Sequence, residues 1–519
     1  MKEGNEKVPI PKYFQGKSLL ITGGSGFLGK VLIEKLLRSC PDISIIYILL
    51  RPKKGKTLQE RVEAITSIPL FDLLKSTYPE NVQKIVPIYG DVTELGLGLS
   101  NESRKILIES VNIIYHAAAS VRFDDSLKDA IILNTRGTRE VALLAREMKH
   151  LELLVHISTT YCHTDKQIIE EKIYPTEIDW KQSINIAESL DSHTLNIFAS
   201  HYMNSFPNSY TFTKRLSEDL LTELCSGRIP TVIIRPSIVI STADEPMPGW
   251  IDNFNGPVGL LCACGKGILR SLYTDPDLIA DYIPVDMAVK GIIGVTWLDA
   301  LEKNQDNSKQ LQISVFNASN NNVNSITYRE LMAIGDKVTK YYPFHNTLWL
   351  PQMTITKFYI LHYIRIIFFH VIPALFIDGL LKMAGKKFRL LKIQRKIFIA
   401  NMALHYFITQ TWTFKNDKAL RALKMLLPSD YKDFYLDPKD HEPYLYFINA
   451  TMGVKKYLFK EDPKDLDIGK KHYFRMLIIN IIFNILWYLG LFYVFVFKLN
   501  ILDCFKDILH YIYTYFCNL

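Results

Sequence analysis

Thr22-Gly23-Gly24-Ser25-Gly26-Phe27-Leu28-Gly29 is the stretch that decides the fold. It follows an apolar run, residues 17–22, that reads as a strand, and it opens residues 27–37, whose apolar spacing reads as a helix. Between a strand and a helix the spacing T-G-x-x-G-x-x-G has a mechanical meaning. Gly23 permits a tight turn, Gly26 lets backbone approach a pyrophosphate, and Gly29 lets the helix pack closely on the sheet. Peptide N–H groups at the helix N-terminus then receive the phosphates. Thr22, Gly23, Gly26, Phe27, Leu28 and Gly29 are therefore the expected core of a dinucleotide site.

Working outward, residues 44–50, 84–89, 112–117, 153–158 and 231–235 read as further strands, with helical patterns such as 126–148 between them. Strands alternating with helices imply right-handed crossovers and a parallel sheet covered on both faces. The expected class is α/β, a doubly wound Rossmann-type sheet over residues 17–270 after a tail of residues 1–16. From Glu245-Pro246-Met247-Pro248-Gly249-Trp250 the rhythm changes, and residues 271–345 read as a substrate-side extension. An Asn- and Ser-rich break at 317–325 precedes a mainly helical C-terminal domain, residues 346–465.

Composition narrows the function classes. In 519 residues, 48% hydrophobic and 22% charged, 23 Pro and 25 Gly exclude disordered and collagen-like chains. Seven scattered cysteines form no disulfide frame, and the Cys262-x-Cys264 pair lacks a second pair for zinc; no other His, Cys, Asp or Glu spacing suggests a metal. A net charge of +8, without charge blocks, does not call for nucleic acid. Residues 1–15 are polar and carry no signal-peptide pattern. Aromatic residues concentrate in the last third. There, residues 476–497 are uncharged, and as a helix they extend about 33 Å, enough to cross a bilayer's hydrocarbon core. A buried core helix is the competing reading. Lys470, Lys471 and Arg475 before this segment outnumber Lys498 and Lys506 after it, which puts the catalytic body on the cytosolic side of a single C-terminal transmembrane helix. Residues 358–377 are nearly as apolar but contain His362, Arg365, His370 and Pro373, and read as helices that pack internally or dip into the interface.

The second strand ends in Arg51-Pro52-Lys53-Lys54, where an NAD-specific site would offer an acid to the ribose. These cations suit a 2′-phosphate, so the expected cofactor is NADPH. Gly90-Asp91-Val92 after the third strand puts Asp91 where a carboxylate meets the adenine amino group. Tyr210 and Lys214, four apart, share one helical face, so the ammonium is expected to lower the phenol's pKa and to hold ribose hydroxyls, with Tyr210 delivering a proton to a carbonyl oxygen. Ser158 or Thr159, at a strand's C-terminal end, would stabilise charge on that oxygen. Cys162 reads as a small buried residue, His116 and His156 as satisfied core histidines, and Arg122 as a structural ion-pair residue before a phosphate contact.

The glycine turn, the hydroxyl site and the Tyr210–Lys214 pair resemble the extended short-chain dehydrogenase/reductases. Four segments narrow this: His116-Ala117-Ala118-Ala119-Ser120-Val121-Arg122-Phe123-Asp124, Val155-His156-Ile157-Ser158-Thr159-Thr160-Tyr161-Cys162, Arg235-Pro236-Ser237-Ile238-Val239 and Pro248-Gly249-Trp250-Ile251-Asp252-Asn253. Together they are similar to the alcohol-forming fatty acyl-CoA reductases, in their insect-like form, as are Thr413-Phe414-Lys415-Asn416-Asp417 and Gly453-Val454-Lys455-Lys456-Tyr457 in the last third. Where that family commonly has Ser-Thr-Ala-Tyr, this chain has Thr160 for the alanine, and the oxyanion partner stays open between Ser158 and Thr159. The resemblance implies NADPH-dependent reduction of a long-chain acyl-CoA to a fatty alcohol through an aldehyde, with release of CoA. It also implies a cofactor set that adds Arg51, Asp91, Val92, Ala117 and Lys214, contact with membrane lipid, and an endoplasmic reticulum or peroxisomal membrane; self-association is open. The alternatives are an extended dehydrogenase acting on a sterol or nucleotide-sugar, and a non-catalytic nucleotide-binding membrane protein.

Overall fold

The computed structural model describes residues 8–305, 311–321, 323, 325–386, 389–435, 442–494, 496, 506–510 and 512–514. Residues 1–7 of the expected tail, Phe495 and Phe497 of the expected span, Lys498 after it, and Cys504 and Cys517 lie outside these. Seven parallel strands form the central sheet: β1 (Ser18–Thr22), β2 (Ile45–Leu50), β3 (Ile85–Tyr89), β4 (Ile113–His116), β5 (Leu153–Ile157), β6 (Thr231–Pro236) and β7 (Ser314–Ala318). Their order is β7-β6-β5-β4-β1-β2-β3. The winding direction reverses between β1 and β4, and in such sheets the crevice at that reversal holds the ligand.

Side-chain alternation along each strand builds two cores. Leu19 and Ile21 of β1, with Ile46, Ile48 and Leu50 of β2, pack under helices α1 (Phe27–Ser39) and, later in the chain, Val285–Gln305. Leu20, Tyr47 and Leu49 point the other way, toward α2 (Gly137–Glu147) and α3 (Ser209–Cys225). Strand β7 falls partly in the stretch the sequence assigned to an Asn- and Ser-rich break. Asn317 reads as a loop residue because it is polar, yet it is fully buried in β7, its side-chain amide donating to the carbonyls of Ile169 (3.1 Å) and Lys415 (2.7 Å).

Beyond the sheet come α4 (Pro257–Gly265), α5 (Val285–Gln305), α6 (Tyr328–Tyr341), α7 (Tyr359–Met383), α8 (Leu390–Ile408), α9 (Pro443–Gly453) and α10 (Leu466–Tyr493). The C-terminal half is woven into the sheet domain. Ala422, Leu426 and Phe434 complete the core under α1 and α5, and Thr413–Phe414 pairs in parallel with Ile168–Ile169. Helix α10 runs 28 residues, and only Gly469 and Asn480 are buried, the latter accepting a hydrogen bond from the Trp349 indole at 2.8 Å. Helix α7 is one continuous 25-residue helix with one face on the body and an apolar face exposed, so it does more than pack internally.

Two backbones meet where Gly249 (φ +74°) rests on α9: a Cβ at Gly453 would lie 1.7 Å from the Gly249 carbonyl oxygen. Since both neighbours are backbone, neither yields without moving an element. Gly453→Ala is expected to destabilise the fold by about 3 kcal/mol or more, the upper range for overpacking, read as a lowered thermal midpoint.

Candidate active site

The glycine turn sits at the sheet's reversal. Gly23 has φ +78°, and a Cβ there would lie 2.6 Å from the Ala118 amide nitrogen; one at Gly29 would lie 2.3 Å from the Gly23 carbonyl oxygen. The turn therefore lies against both the start of α1 and the chain leaving β4. Helix α1 starts at Gly26 with no side-chain cap, so its first amides are left to point outward, as a phosphate needs. The Phe27 ring stacks on Trp250 at 5.4 Å, and Leu28 packs against the core. Thr22 and His116 tie the two strand ends: Thr22 Oγ1 is 2.7 Å from His116 Nδ1 and accepts from the Ala118 amide at 3.3 Å, while His116 Nε2 meets Thr138 Oγ1 at 3.0 Å. The Ala117 amide donates to the Thr22 carbonyl. These features form a cradle whose open backbone and missing Cβ atoms fit a dinucleotide pyrophosphate.

Arg51 directly follows β2, with its guanidinium exposed and 4.0 Å from Asp91, whose carboxylate accepts from the Thr93 amide (2.9 Å) and hydroxyl (2.8 Å). Val92 is buried, and its carbonyl lies against Gly137. Arg61, which the sequence reading passed over, donates to the Arg51 carbonyl and adds a second cation at this strand end.

Asn208 caps α3 by accepting from the Thr211 amide, and the helix then carries Tyr210, Lys214 and Glu218 down one face. Burial pushes the Tyr210 phenol well above its ordinary range, and the neighbouring Thr159 hydroxyl pulls partly against that. Lys214 directs a hydrogen bond elsewhere than at the phenol. Its ammonium turns to the last carbonyl of β5, Ile157 O, at 2.6 Å, because a buried cation needs an acceptor and this one lies within reach. Burial lowers Lys214 to about 8, opposed by the Cys162 sulfur and then by the negative Glu218 nearby.

Glu218 is the residue that sequence reasoning missed, although its place one turn beyond Lys214 was the available signal. Its buried carboxylate accepts from Ser158 Oγ (2.5 Å), from Arg235 through Nε (2.9 Å) and Nη2 (2.6 Å), and lies 3.0 Å from His163 Nε2 and 3.2 Å from Cys162 Sγ. Burial alone would raise this carboxyl, but Arg235 and the hydroxyl and thiol donors bring it below its ordinary value. Ser158 and Thr159 are thereby separated: the first donates to Glu218, whereas the Thr159 hydroxyl accepts from the Tyr161 amide at 3.2 Å and neighbours Tyr210. The Thr160 hydroxyl is buried with no hydrogen-bond partner among the described residues.

Burial pushes the Cys162 thiol up, so it stays protonated, as its reading as a small buried residue anticipates. Cys162, His163 and Glu218 come within 4.8 Å of one another, a convergence absent from their sequence spacing; the positive charge they face comes from Arg235 on Glu218 and Arg215 on His163. His116 is a satisfied core histidine, lowered by burial and then by Lys214 to about 3. His156 corrects that reading for its own position: both ring nitrogens lack partners among the described residues, because β5 buries the ring against β4 and β6, 5.3 Å from the His116 ring. Arg122 is exposed and paired with Asp124 at 3.0 Å and Asp125 at 3.4 Å.

Beside this cluster lie two apolar cavities that share Leu261, Cys264, Leu331, Met332 and Met353 in their walls. Aromatic rings connect the first to Tyr210: Phe123 lies 6.1 Å from Tyr210 and 5.3 Å from Phe407, which lines the cavity with Tyr161.

Residues 21–292 match an NAD-binding family model and residues 369–461 a second model, both described as male sterility protein. The chain is 37% identical over 465 residues to fatty acyl-CoA reductase 1 of Mus musculus, covering 90% of this chain and 89% of that one. It is 35% identical over 475 residues to fatty acyl-CoA reductase wat of Drosophila melanogaster, covering 92% and 90%. Among solved structures, the terminal R domain of the myxalamid PKS-NRPS pathway aligns with TM-score 0.57 and 19% identity, over 88% of this chain and 94% of that one. The reductase domain of a Mycobacterium tuberculosis nonribosomal peptide synthetase also gives 0.57, at 18% identity over 86% and 92%. Both show the fold.

Lys214 loses its proton as pH rises through about 8, so turnover should fall over that range. Glu218→Gln removes a negative charge that helps hold the proton on Lys214, and the alkaline limb of the pH–rate profile is expected to move to lower pH. An unmoved limb in a folded variant would contradict this coupling.

Proposed function

Since the chain belongs to the fatty acyl-CoA reductase family, we propose that it reduces long-chain fatty acyl-CoA to the primary alcohol at the expense of NADPH, with Tyr210 and Thr159 at the reacting carbonyl. The observation that carries this reading is the aromatic link through Phe123, 6.1 Å from Tyr210 and 5.3 Å from Phe407, which joins the tyrosine to an apolar cavity. A nicotinamide cofactor follows from the NAD-binding match. The 2′-phosphorylated form is favoured by the cations Arg51, Lys53 and Lys54 after β2 and by Arg61 beside them.

NADPH, when bound, would supply one hydride per molecule, so the four-electron reduction would consume two in succession, the first for the thioester carbonyl and the second for the aldehyde left once CoA thiol departs. The pyrophosphate is assigned to Gly23, Gly26 and the first amides of α1, with Thr22 and Ala117 shaping the adjoining strand ends, and the adenosine end to Arg51, Asp91 and Val92. Tyr210, kept protonated by burial, gives its phenolic proton to the substrate oxygen. Thr159 donates to the same oxygen, because the Ser158 hydrogen is already committed to Glu218. Lys214 has three N–H donors and uses one on Ile157 O, leaving the others for ribose hydroxyls. Helix α10 is assigned as the membrane anchor of a cytosol-facing catalytic body, with Lys470, Lys471 and Arg475 at the near interface.

Purified full-length protein given NADPH and long-chain acyl-CoA should yield fatty alcohol and free CoA; no product across a chain-length series would refute the proposal. Thr159→Ala should lower kcat by roughly 10²–10³, the cost of one oxyanion donor, whereas Ser158→Ala should stay within about tenfold of wild type. Tyr210→Phe should abolish turnover and leave cofactor binding intact, as tested by fluorescence titration. Arg51→Ala should raise KM for NADPH about tenfold, the loss of a charge-assisted contact, and leave KM for NADH unchanged.

A further inference from the structure

We propose that α7 and the outer face of α8 form a second membrane contact, an interfacial hairpin lying in the near leaflet of the same bilayer that α10 enters, and that the acyl cavity behind it receives its substrate from that leaflet. The proposal rests on the reading of the chain as a membrane-associated acyl-CoA reductase. It goes beyond a single C-terminal anchor.

Topology keeps this hairpin from crossing. Just before α7, Thr354–Thr356 pairs in parallel with Ser271–Tyr273, and Lys357 is held to Asp275 at 2.8 Å. Just after α8, Thr413–Phe414 pairs with Ile168–Ile169 beside the sheet domain. Both ends of the excursion are thus fastened to one body, and contacts along its inner face hold the helices against that body rather than across a bilayer. The inner face of α7 is also pinned: His362 Nδ1 is 2.9 Å from Ser271 Oγ, and His370 Nε2 accepts from the Arg270 amide at 2.9 Å, eight residues farther along the helix. Asp378 accepts from the amides of Leu390 (2.6 Å) and Leu391 (3.0 Å), which caps α8 and closes the hairpin.

The outer face is apolar over a long stretch. Ile364, Phe368, Ile372, Leu375, Phe376 and Leu380 of α7 are exposed, with Phe376 67% accessible, far beyond the scattered single residues normal for a water-facing surface. On α8, exposed Leu391, Phe398, Ile399 and Met402 accompany exposed Lys392, Arg395 and Lys396, and Lys382, Lys386 and Arg389 crowd the turn between the helices. Apolar side chains among cations are the composition of a helix lying at an anionic lipid surface. The patch continues directly into α10, where Phe368 meets Trp487 at 6.3 Å and Trp349 meets Phe483 at 5.5 Å. Continuity with a membrane-length helix and the surplus of cations select a lipid leaflet as the occupant.

The inner face of the same hairpin forms the cavity wall. Leu404, Phe407 and Ile408 of α8 line the first cavity, and the Gln394 amide holds the Ile268 carbonyl at 3.1 Å next to Leu269, another lining residue. Only the thickness of α8 then separates the acyl cavity from the leaflet. A long acyl chain, which leaves lipid for water at a cost of about 0.8 kcal/mol per methylene, would pass from one to the other without crossing water.

The test uses the full-length protein in vesicles of phosphatidylcholine with phosphatidylserine, carrying an environment-sensitive fluorescent amino acid in place of Phe376 or, as a control, of Tyr89 on the sheet's edge strand. The probe at 376 should be quenched by lipids bearing a nitroxide on the acyl chain and shielded from aqueous iodide; the probe at 89 should show the reverse. Quenching by iodide at 376, or shielding from both quenchers as a protein partner would give, overturns the proposal. Because this readout needs no turnover, it fails separately from the assigned activity. Phe368→Asp with Phe376→Asp should raise KM for vesicle-borne long-chain acyl-CoA at least about tenfold, the loss of two buried rings, with KM for a short-chain, water-soluble acyl-CoA unchanged. An equal change for both substrates would overturn delivery from the leaflet.

Discussion

A carboxylate buried at the centre of the protein organises the proposed catalytic site. Glu218 has no water to solvate it, and taking such a charge into a protein interior costs several kcal/mol unless partners replace the lost hydration. The chain supplies them from separate places: Arg235 from β6, Ser158 from the end of β5, and His163 and Cys162 from the turn that follows. Each partner is therefore fixed relative to α3, the helix that also carries Tyr210 and Lys214. Satisfying one buried charge orients the hydroxyl turn, commits Ser158 away from the substrate position and leaves Thr159 facing the phenol. The same negative charge steadies the proton on Lys214, a cation that burial would otherwise discharge.

A second constraint is geometric. The glycine turn works only because two backbones approach more closely than a side chain allows, and the same device recurs where Gly249 meets Gly453. In both places an early segment is locked against another part of the chain, once within the sheet domain and once between it and the C-terminal helices. The shared core of Ala422, Leu426 and Phe434 under α1 and α5 has the same effect on a larger scale. The C-terminal half is thus built into the body that holds the cofactor cradle, which lets it wall the apolar cavities beside Tyr210 while presenting an apolar outer face.

Much of this was legible because it is encoded locally. Strands β1 to β6 show as short apolar runs between helical patterns, and the T-G-x-x-G-x-x-G spacing specifies a turn whose function does not depend on distant residues. The spacing of Tyr210 and Lys214 correctly implied one helical face. It did not tell where the ammonium would turn, since Ile157 O lies on a strand 57 residues away. Strand β7 escaped notice because Asn317 looks like a loop residue until Ile169 and Lys415 arrive to take its amide hydrogens. His156 looked like a satisfied core residue, but only the packing of its neighbours decides whether its nitrogens find partners.

By itself, then, the sequence determined the α/β class, the nucleotide turn, the helix bearing Tyr210 and Lys214, and an apolar C-terminal helix of membrane length. Periodicity and short motifs act over a few residues, and these features need no more than that. The tertiary structure alone decided the Glu218–Arg235 centre, the separation of Ser158 from Thr159, the joined apolar cavities and the return of α7 and α8 to the body they leave. Those depend on which groups a buried charge or an apolar face meets across the fold, and the order of residues along the chain does not record such meetings.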